Sequence, residues 1–376
     1  DQFWIWKTDS FYSTVIPQDS APGHKDLIFN GLDTIATIRI NGEIRLTTKN
    51  MHRSYRLDIT KELSEGDVQL EVSFKAPLTD AEEHVAELGL YPRPYDMPYN
   101  YFRKMACSFG WDWGPITVTS GIWKPIWLTQ WDQGILDEVG LVSDVVDGVP
   151  HLRVRTVGRG SATDVEVVIS GHGREKRVTT TLGSDESIAC EGFDLWHPRG
   201  FGEATLYSVS VYLKDEAGNI VDEFTKRVGF RHVSLDQSNF GDRQMFAICV
   251  NGQRVWAKGV NWIPDDPFPH RVSKEQYEMR IRDLYSVEVN AIRVWGGGIY
   301  ESDHFYDICD ELGIIIWQDF LFACAAYPET PAMFAEVKEE SHQAITRLST
   351  HASLVMWCGG NECIEGFQHW GWQEPL

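Results

Sequence analysis

Up to about residue 231 the chain alternates apolar and polar positions in short runs. "DLIFNGLDTIATIRING" (26–42) and "DVQLEVSFKAP" (67–77) put an apolar residue at every second position and break at Asn-Gly and Gly-Asp pairs. That is the pattern of antiparallel strands joined by tight turns. Residues 1–133 therefore read as an antiparallel β-sandwich. A second set, "VPHLRVRTV" (149–157), "TDVEVVIS" (163–170), "ATLYSVSVYLKD" (204–215) and "EFTKRVGF" (223–230), is spaced for a small immunoglobulin-like sandwich over 134–231.

Beyond Arg231 the period changes. Continuous apolar runs alternate with helical patterns: "RVWAKGVNW" (254–262) precedes "SKEQYEMRIRDLYSV" (273–287), "NAIRVWGG" (290–297) precedes "ESDHFYDICDELG" (301–313), and "IIIWQDF" (314–320) precedes "PAMFAEVKEESHQAITRLST" (331–350). "SLVMWCGGNE" (353–362) comes last. Buried strands separated by helices predict a parallel sheet covered on both faces, with four strand–helix steps suited to half of an eight-fold β/α (TIM) barrel over 232–376. Ser273 with Gln276 is a capping box opening the first helix, and Gly313 stops the second. The fold class predicted is thus multidomain β plus α/β.

In such barrels the carboxyl ends of the strands carry the chemistry. Here those ends are Asn261 with Trp262, Trp295, Asp319, and Asn361 with Glu362. A carboxylate in an apolar surround can protonate a leaving oxygen, and Trp357 with neighbouring strand ends would supply that surround for Glu362. An adjacent amide, Asn361, can hold a sugar hydroxyl. The bland alternative is a Glu362 that merely caps the next helix. Other chemistries fit less well. "WGGG" (295–298) lacks the Gly-Lys-Ser/Thr ending of a phosphate loop, and no GxSxG elbow occurs. His342 with His351, and Cys358 with Cys363, lack metal-ligand spacing, so no metal and no cofactor are expected.

Composition narrows the partners. Lys plus Arg number 34 against 55 Asp plus Glu, a formal charge of −21, which disfavours nucleic acid and anionic membrane. No apolar stretch long enough for a membrane span and no signal peptide are visible. Seven cysteines, an odd count, several of them in apolar segments, and the lack of an Asn-x-Ser/Thr sequon lean toward reduced thiols and a cytoplasmic setting. The 15 tryptophans suit a sugar cleft, where an indole stacks on the apolar face of a pyranose.

With those residues in view, the chain resembles the β-mannosidases of glycoside hydrolase family 2. The matching stretches are "GLDTIATIRING", "SFGWDWGPITVTSGIWKPIWL", "KGVNWIPDDPF", "NAIRVWGGGIYESDHFYDICDELGIIIWQDFLFACAAYP" and "LVMWCGGNE", spread over nearly the whole chain, and the tail "GGNECIEGFQHWGW" is closest to bacterial forms. The resemblance implies a jelly-roll sugar-binding domain, an immunoglobulin-like sandwich and a catalytic barrel. It implies retaining, exo-acting release of terminal β-mannose from oligosaccharides or glycans, with a homodimer as an option. Glu362 matches the family's acid/base, Asn361 its partner on the 2-hydroxyl, and Trp295 an indole flooring the sugar. Trp111 and Asp112 of "GWDWGP" match residues reaching the distal hydroxyls. Asp319 matches a supporting position. The retaining reaction needs a second carboxylate about 5–5.5 Å from the first, which relatives supply from the seventh strand. The sequence therefore reads as a fragment, without the opening strands of the jelly roll and inactive by itself. An exo-β-glucosaminidase and a noncatalytic carbohydrate-binding protein are the alternatives.

Overall fold

The computed structural model describes residues 3–373. In the first domain Ser10–Ile16, Ile35–Ile40, Glu43–Lys49 and Val68–Phe74 form one antiparallel sheet, and His24–Phe29, Tyr55–Asp58 and Ile126–Trp131 another. Alternation drives the packing: Ile38, Ile40, Leu70 and Val72 enter a common core with Leu27 and Phe29 of the other sheet. Asn41 and Gly42 both take positive φ (52° and 84°), the two-residue turn whose twist matches that of the strands it joins.

The alternation pattern gives no sign of helix Pro77–Leu88 within this domain. Proline at its first turn, where no N–H is needed, and the helical spacing of Ala81, Val85 and Leu88 build it against Tyr99 and Phe109. A largely irregular excursion follows and ends in the hairpin Phe109–Trp111 with Gly114–Ile116.

The second domain is a sandwich of Gly134–Val146, Val149–Gly160 and Asp185–Ala189 on Asp164–Gly171, Arg174–Thr181, Tyr207–Lys214 and Ile220–Val228. Its core includes Leu141, Leu152, Val167, Val209 and Phe230, all buried.

In the third region "RVWAKGVNW" is not one strand. Asn251 and Gly252 (φ 52° and 76°) turn the chain so that Gln253–Arg254 pairs back on Cys249 and Val250, and Trp256 is left exposed. The Asn-Gly hairpin signal prevails over the apolar run. The parallel sheet then comprises β1 (Gly259–Trp262), β2 (Ala291–Val294), β3 (Ile315–Asp319) and β4 (Leu354–Cys358) in sequential order. Between and after them lie α1 (Lys274–Ser286), α2 (Asp303–Leu312), α3 (Pro331–Leu348) and α4 (Cys363–His369). Ser273 Oγ accepts from the Gln276 N–H at the start of α1, and Gly313 ends α2 at φ 69°. Both termini follow capping chemistry.

The helices cover one face of the sheet, while the other is covered only in part, where Ile315 packs with Trp196, Ile248 and Val255. Ile292, Val294 and Ile316 pack on Tyr277, Ile281 and Phe305 of the helices. On the other face Asn261, Arg293, Trp317 and Val355 line an open hollow of about 250 Å³. The expected cover of both faces is therefore corrected to partial cover of the second, and the described strands form an open four-stranded parallel sheet in sequential order. Among the described residues no strand pairs with the outer edge of β1 or β4.

Buried polar joints tie the regions together. Arg103 donates to both carboxylate oxygens of Glu340 on α3 at 2.7 and 2.6 Å, with Asn50 Nδ2 (2.9 Å) and Tyr300 Oη (3.1 Å) on the same carboxylate. Arg231 donates to the carbonyls of Ser143, Ala352 and Leu354, joining the second sandwich to the start of β4. Among the described residues no helix is long and apolar enough to cross a membrane.

Candidate active site

Parallel pairing brings the carboxyl ends of β2, β3 and β4 side by side, and one arginine joins them. Arg293 Nη2 lies 2.6 Å from Asp319 Oδ2 and donates to Asn361 Oδ1 at 2.8 Å, while its Nε reaches Asp319 Oδ1 at 3.2 Å. Asp319 is fully buried and also accepts the Gly296 N–H at 3.1 Å. Burial pushes its carboxyl up, and Arg293 and that N–H only partly offset the effect. Asn361 Oδ1 is thus committed to Arg293, which turns the amide nitrogen the other way. There Nδ2 meets Glu362 Oε2 and Cys324 Sγ, each at 3.1 Å.

The backbone explains why Asn361 and Glu362 sit here. β4 ends at Cys358, and Gly359-Gly360 shifts the chain sideways so that Asn361 bridges Ala323 in parallel fashion. The Asn361 N–H donates to the Phe322 carbonyl and the Cys324 N–H to the Asn361 carbonyl, both at 2.8 Å. Gly360 has φ 155°, and a Cβ there would lie 2.9 Å from Phe322 Cβ, so a larger residue would force the two loops apart. Glu362 follows in the left-handed region (φ 58°) at the N-cap position of α4, yet its side chain makes no capping bond. The carboxylate points instead to Cys324, whose Sγ lies 3.1 Å from Oε2.

Indoles form the wall. Trp295, just past β2, is buried, and its ring meets Trp111 edge-on at 4.8 Å and Trp113 at 5.6 Å. A Cβ on Gly297 would lie 1.9 Å from the Trp295 ring, so the indole occupies space that only glycine leaves. Trp111 and Trp113 flank Asp112 at the turn of the hairpin from the first domain, and Asp112 is exposed. The Cys107 N–H donating to the Gly297 carbonyl (3.0 Å) anchors that hairpin. Tyr95 packs on Trp111 at 4.7 Å. Its phenol is pushed up by burial first and by the charges of Asp112 and Glu362, with an Asp112 backbone bond in opposition. Tyr99 Oη donates to the carbonyls of Ala323 and Cys324 at 3.0 Å each, so the first domain also grips the loop after β3.

The structure thus brings together Glu362, Asn361, Trp295, Trp111 and Asp112. Two expectations are corrected. Glu362 is exposed rather than held in a dry mouth, and among the described residues no strand pairs with the outer edge of β4 beside it. Trp262 turns away from the rim, and its Nε1 donates to Glu301 Oε1 among the helices at 3.0 Å. Reading the sequence missed Arg293, Cys324 and Tyr95. An arginine inside the apolar run "NAIRVW" is a signal that could have found the first, since a charge there needs a partner. The other two lie in loops without periodicity.

The rim offers carboxylate acceptors, an amide that both donates and accepts, and indole faces, a set suited to hydroxyl-rich ligands. Away from it, Asp307, Asp310 and His351 place ligand-type atoms within 4.8 Å of one another. The Asp310 oxygens accept from His351 Nδ1 and the Ser353 N–H at 2.7 Å each, a buried joint beside which Asp307 is only half-buried. His342 is bonded to Glu138 of the second sandwich.

Comparison with known proteins bears on this rim. Residues 1–124 match the galactose-binding domain-like profile of glycosyl hydrolase 2, and residues 143–231 match the profile of glycosyl hydrolases family 2. The chain is 34% identical to β-mannosidase B of Aspergillus terreus over 379 residues, which is 96% of this chain and 44% of that protein. It is 35% identical to β-mannosidase B of Aspergillus clavatus with the same coverage. The chain thus spans 44% of the length of these curated relatives. The crystal structure of a β-D-mannosidase from Dictyoglomus thermophilum superposes with a TM-score of 0.91 at 34% identity, covering 97% of this chain and 47% of that one. An exo-chitosanase of Amycolatopsis orientalis shares the fold alone, with a TM-score of 0.68 and 20% identity over 94% of this chain and 41% of that one.

Proposed function

Because the chain belongs to glycoside hydrolase family 2, we propose that this rim is the proton-donating half of a retaining exo-β-mannosidase site. Its substrates are terminal, non-reducing β-D-mannosides of oligosaccharides or glycans. One observation carries the reading: Glu362, at the start of α4, leaves that helix uncapped and turns its carboxylate into the strand-end network.

Glu362 gives a proton to the glycosidic oxygen as the bond to the leaving sugar breaks, then takes one from the water that releases the mannose. Asn361, its amide oriented by Arg293, holds the hydroxyl next to the reacting carbon. Trp295 floors the ring, and Trp111 with Asp112 meets the distal hydroxyls, which makes the site exo-acting. Asp319 is not the nucleophile in this reading, because Arg293 and the Gly296 N–H occupy its oxygens. We place the second carboxylate, about 5–5.5 Å from the first, in the remainder of a (β/α)8 barrel of which β1 to β4 are the first half. The relatives' greater length and the Dictyoglomus superposition support that placement.

The test is a panel of aryl β-glycosides offered to the protein that carries this chain. The β-mannoside is expected to show a kcat/KM well above those of the β-glucosaminide, β-glucuronide and β-galactoside. Preference for the glucosaminide, or saturable mannose binding without turnover, would replace the assignment.

A further inference from the structure

Cys324 occupies an unusual place: a thiol in hydrogen-bond contact with both the amide and the carboxylate of the Asn-Glu pair. Asn361 Nδ2 donates to Sγ, and Sγ lies 3.1 Å from Glu362 Oε2, so the sulfur accepts from one residue and donates to the other. We propose that Cys324 is a positioning residue for the proton donor, pinning Oε2 of Glu362 so that Oε1 is the oxygen presented to the glycosidic bond. The proposal rests on Glu362 being the acid of the preceding section. Among the described residues no group bonds Oε1.

Three features support this. The polarity of the chain is fixed from one end, because Arg293 takes Asn361 Oδ1 and leaves only Nδ2 to face the sulfur. Cys324 is 5% exposed, and burial, followed by its hydrogen bond to Glu362 and that residue's charge, raises the thiol well above its ordinary value, so it remains an S–H donor at neutral pH. Finally, Cys324 and Glu362 both sit in the left-handed region, at φ 45° and 58°. Such conformations persist in residues other than glycine only when the surroundings over-determine them. Here the surroundings are the Cys324 N–H to Asn361 carbonyl bond (2.8 Å) and Tyr99 Oη on the Cys324 carbonyl (3.0 Å). Two adjoining loops are thus held in strained form where their side chains meet.

Leaving-group dependence separates positioning of an acid from support of the fold. A 2,4-dinitrophenolate departs without a proton, whereas the sugar leaving β-mannobiose needs one. Because kcat/KM reports the bond-breaking step, it isolates the acid role. General-acid catalysis contributes about 10²–10⁴-fold, so Cys324→Ala is expected to lower kcat/KM on β-mannobiose by about tenfold or more. It should leave the dinitrophenyl mannoside within about threefold, and Cys324→Ser, which restores a donor, should recover most of the mannobiose activity. Equal losses on both substrates, no loss on mannobiose, or a serine variant no better than alanine would overturn the proposal. Glu362→Ala in the same assay keeps the two readings apart. If it shows the leaving-group signature and Cys324→Ala does not, only the role of Cys324 falls; if Glu362→Ala lacks it, the acid assignment falls first.

Discussion

Gly297 sets the position of the indole that would floor a sugar. Because a Cβ there would meet the Trp295 ring at 1.9 Å, Gly297→Ala must displace a buried side chain already wedged between Trp111 and Trp113. Overpacking of this kind costs about 1–3 kcal/mol. The expected outcome is a lowered thermal midpoint and an affinity for β-mannosides weakened about tenfold, equivalent to about 1.4 kcal/mol. Unchanged affinity would mean that Trp295 does not touch the ligand. At this scale the sequence was partly readable. Asn361, Glu362 and Trp295 stood out because polar or aromatic groups ended apolar runs. Arg293, Cys324 and Tyr95 did not, since their roles depend on partners from other strands and from the first domain. The environment of Glu362 was misjudged for the same reason: solvent exposure is decided by what lies beyond β4, and apolar neighbours in sequence do not report it.

Among the elements, β1 illustrates how a strand end is fixed. Trp262 and Tyr277 both donate to the buried carboxylate of Glu301, at 3.0 Å for the indole and 2.5 Å for the phenol. Burial pushes that carboxyl up to about 7, against the pull of those two bonds. The unfolded carboxyl titrates near about 4.3, so between these values the folded chain keeps a proton that the unfolded chain has lost. Stability must then fall as pH rises through that window and level off above it. Glu301→Gln removes this contribution, so the difference in urea midpoint between the two proteins is expected to change from about pH 4 to about pH 7 and stay constant beyond. A difference independent of pH would contradict a protonated Glu301. The elements themselves were largely legible. Period-two runs became strands, and Ser273 and Gly313 bounded helices where capping chemistry placed them. Helix Pro77–Leu88 and the Asn251-Gly252 hairpin were missed, the first hidden inside a β-rich domain and the second inside an apolar run that ends in a strand.

Over the whole molecule, the rim is a composite. β2 to β4 contribute Arg293, Trp295, Asp319, Asn361 and Glu362, and the first domain contributes Tyr95, Tyr99, Trp111 and Asp112. The buried Arg103–Glu340 pair holds the two together. On the proposed reading, assembly of the rim from two domains sets distal contacts on one side and the proton donor on the other, as an exo-acting glycosidase would need. The central claim is that Glu362 supplies the proton and later the base. Its most direct test is the product formed when the Glu362→Ala protein turns over 2,4-dinitrophenyl β-mannoside in the presence of azide. Azide needs no general base and fits the space left by the carboxylate, so turnover should accelerate and yield β-mannosyl azide, while hydrolysis of β-mannobiose is lost. A Glu362→Ala protein that still cleaves β-mannobiose at the native rate, or one indifferent to azide, would contradict the account.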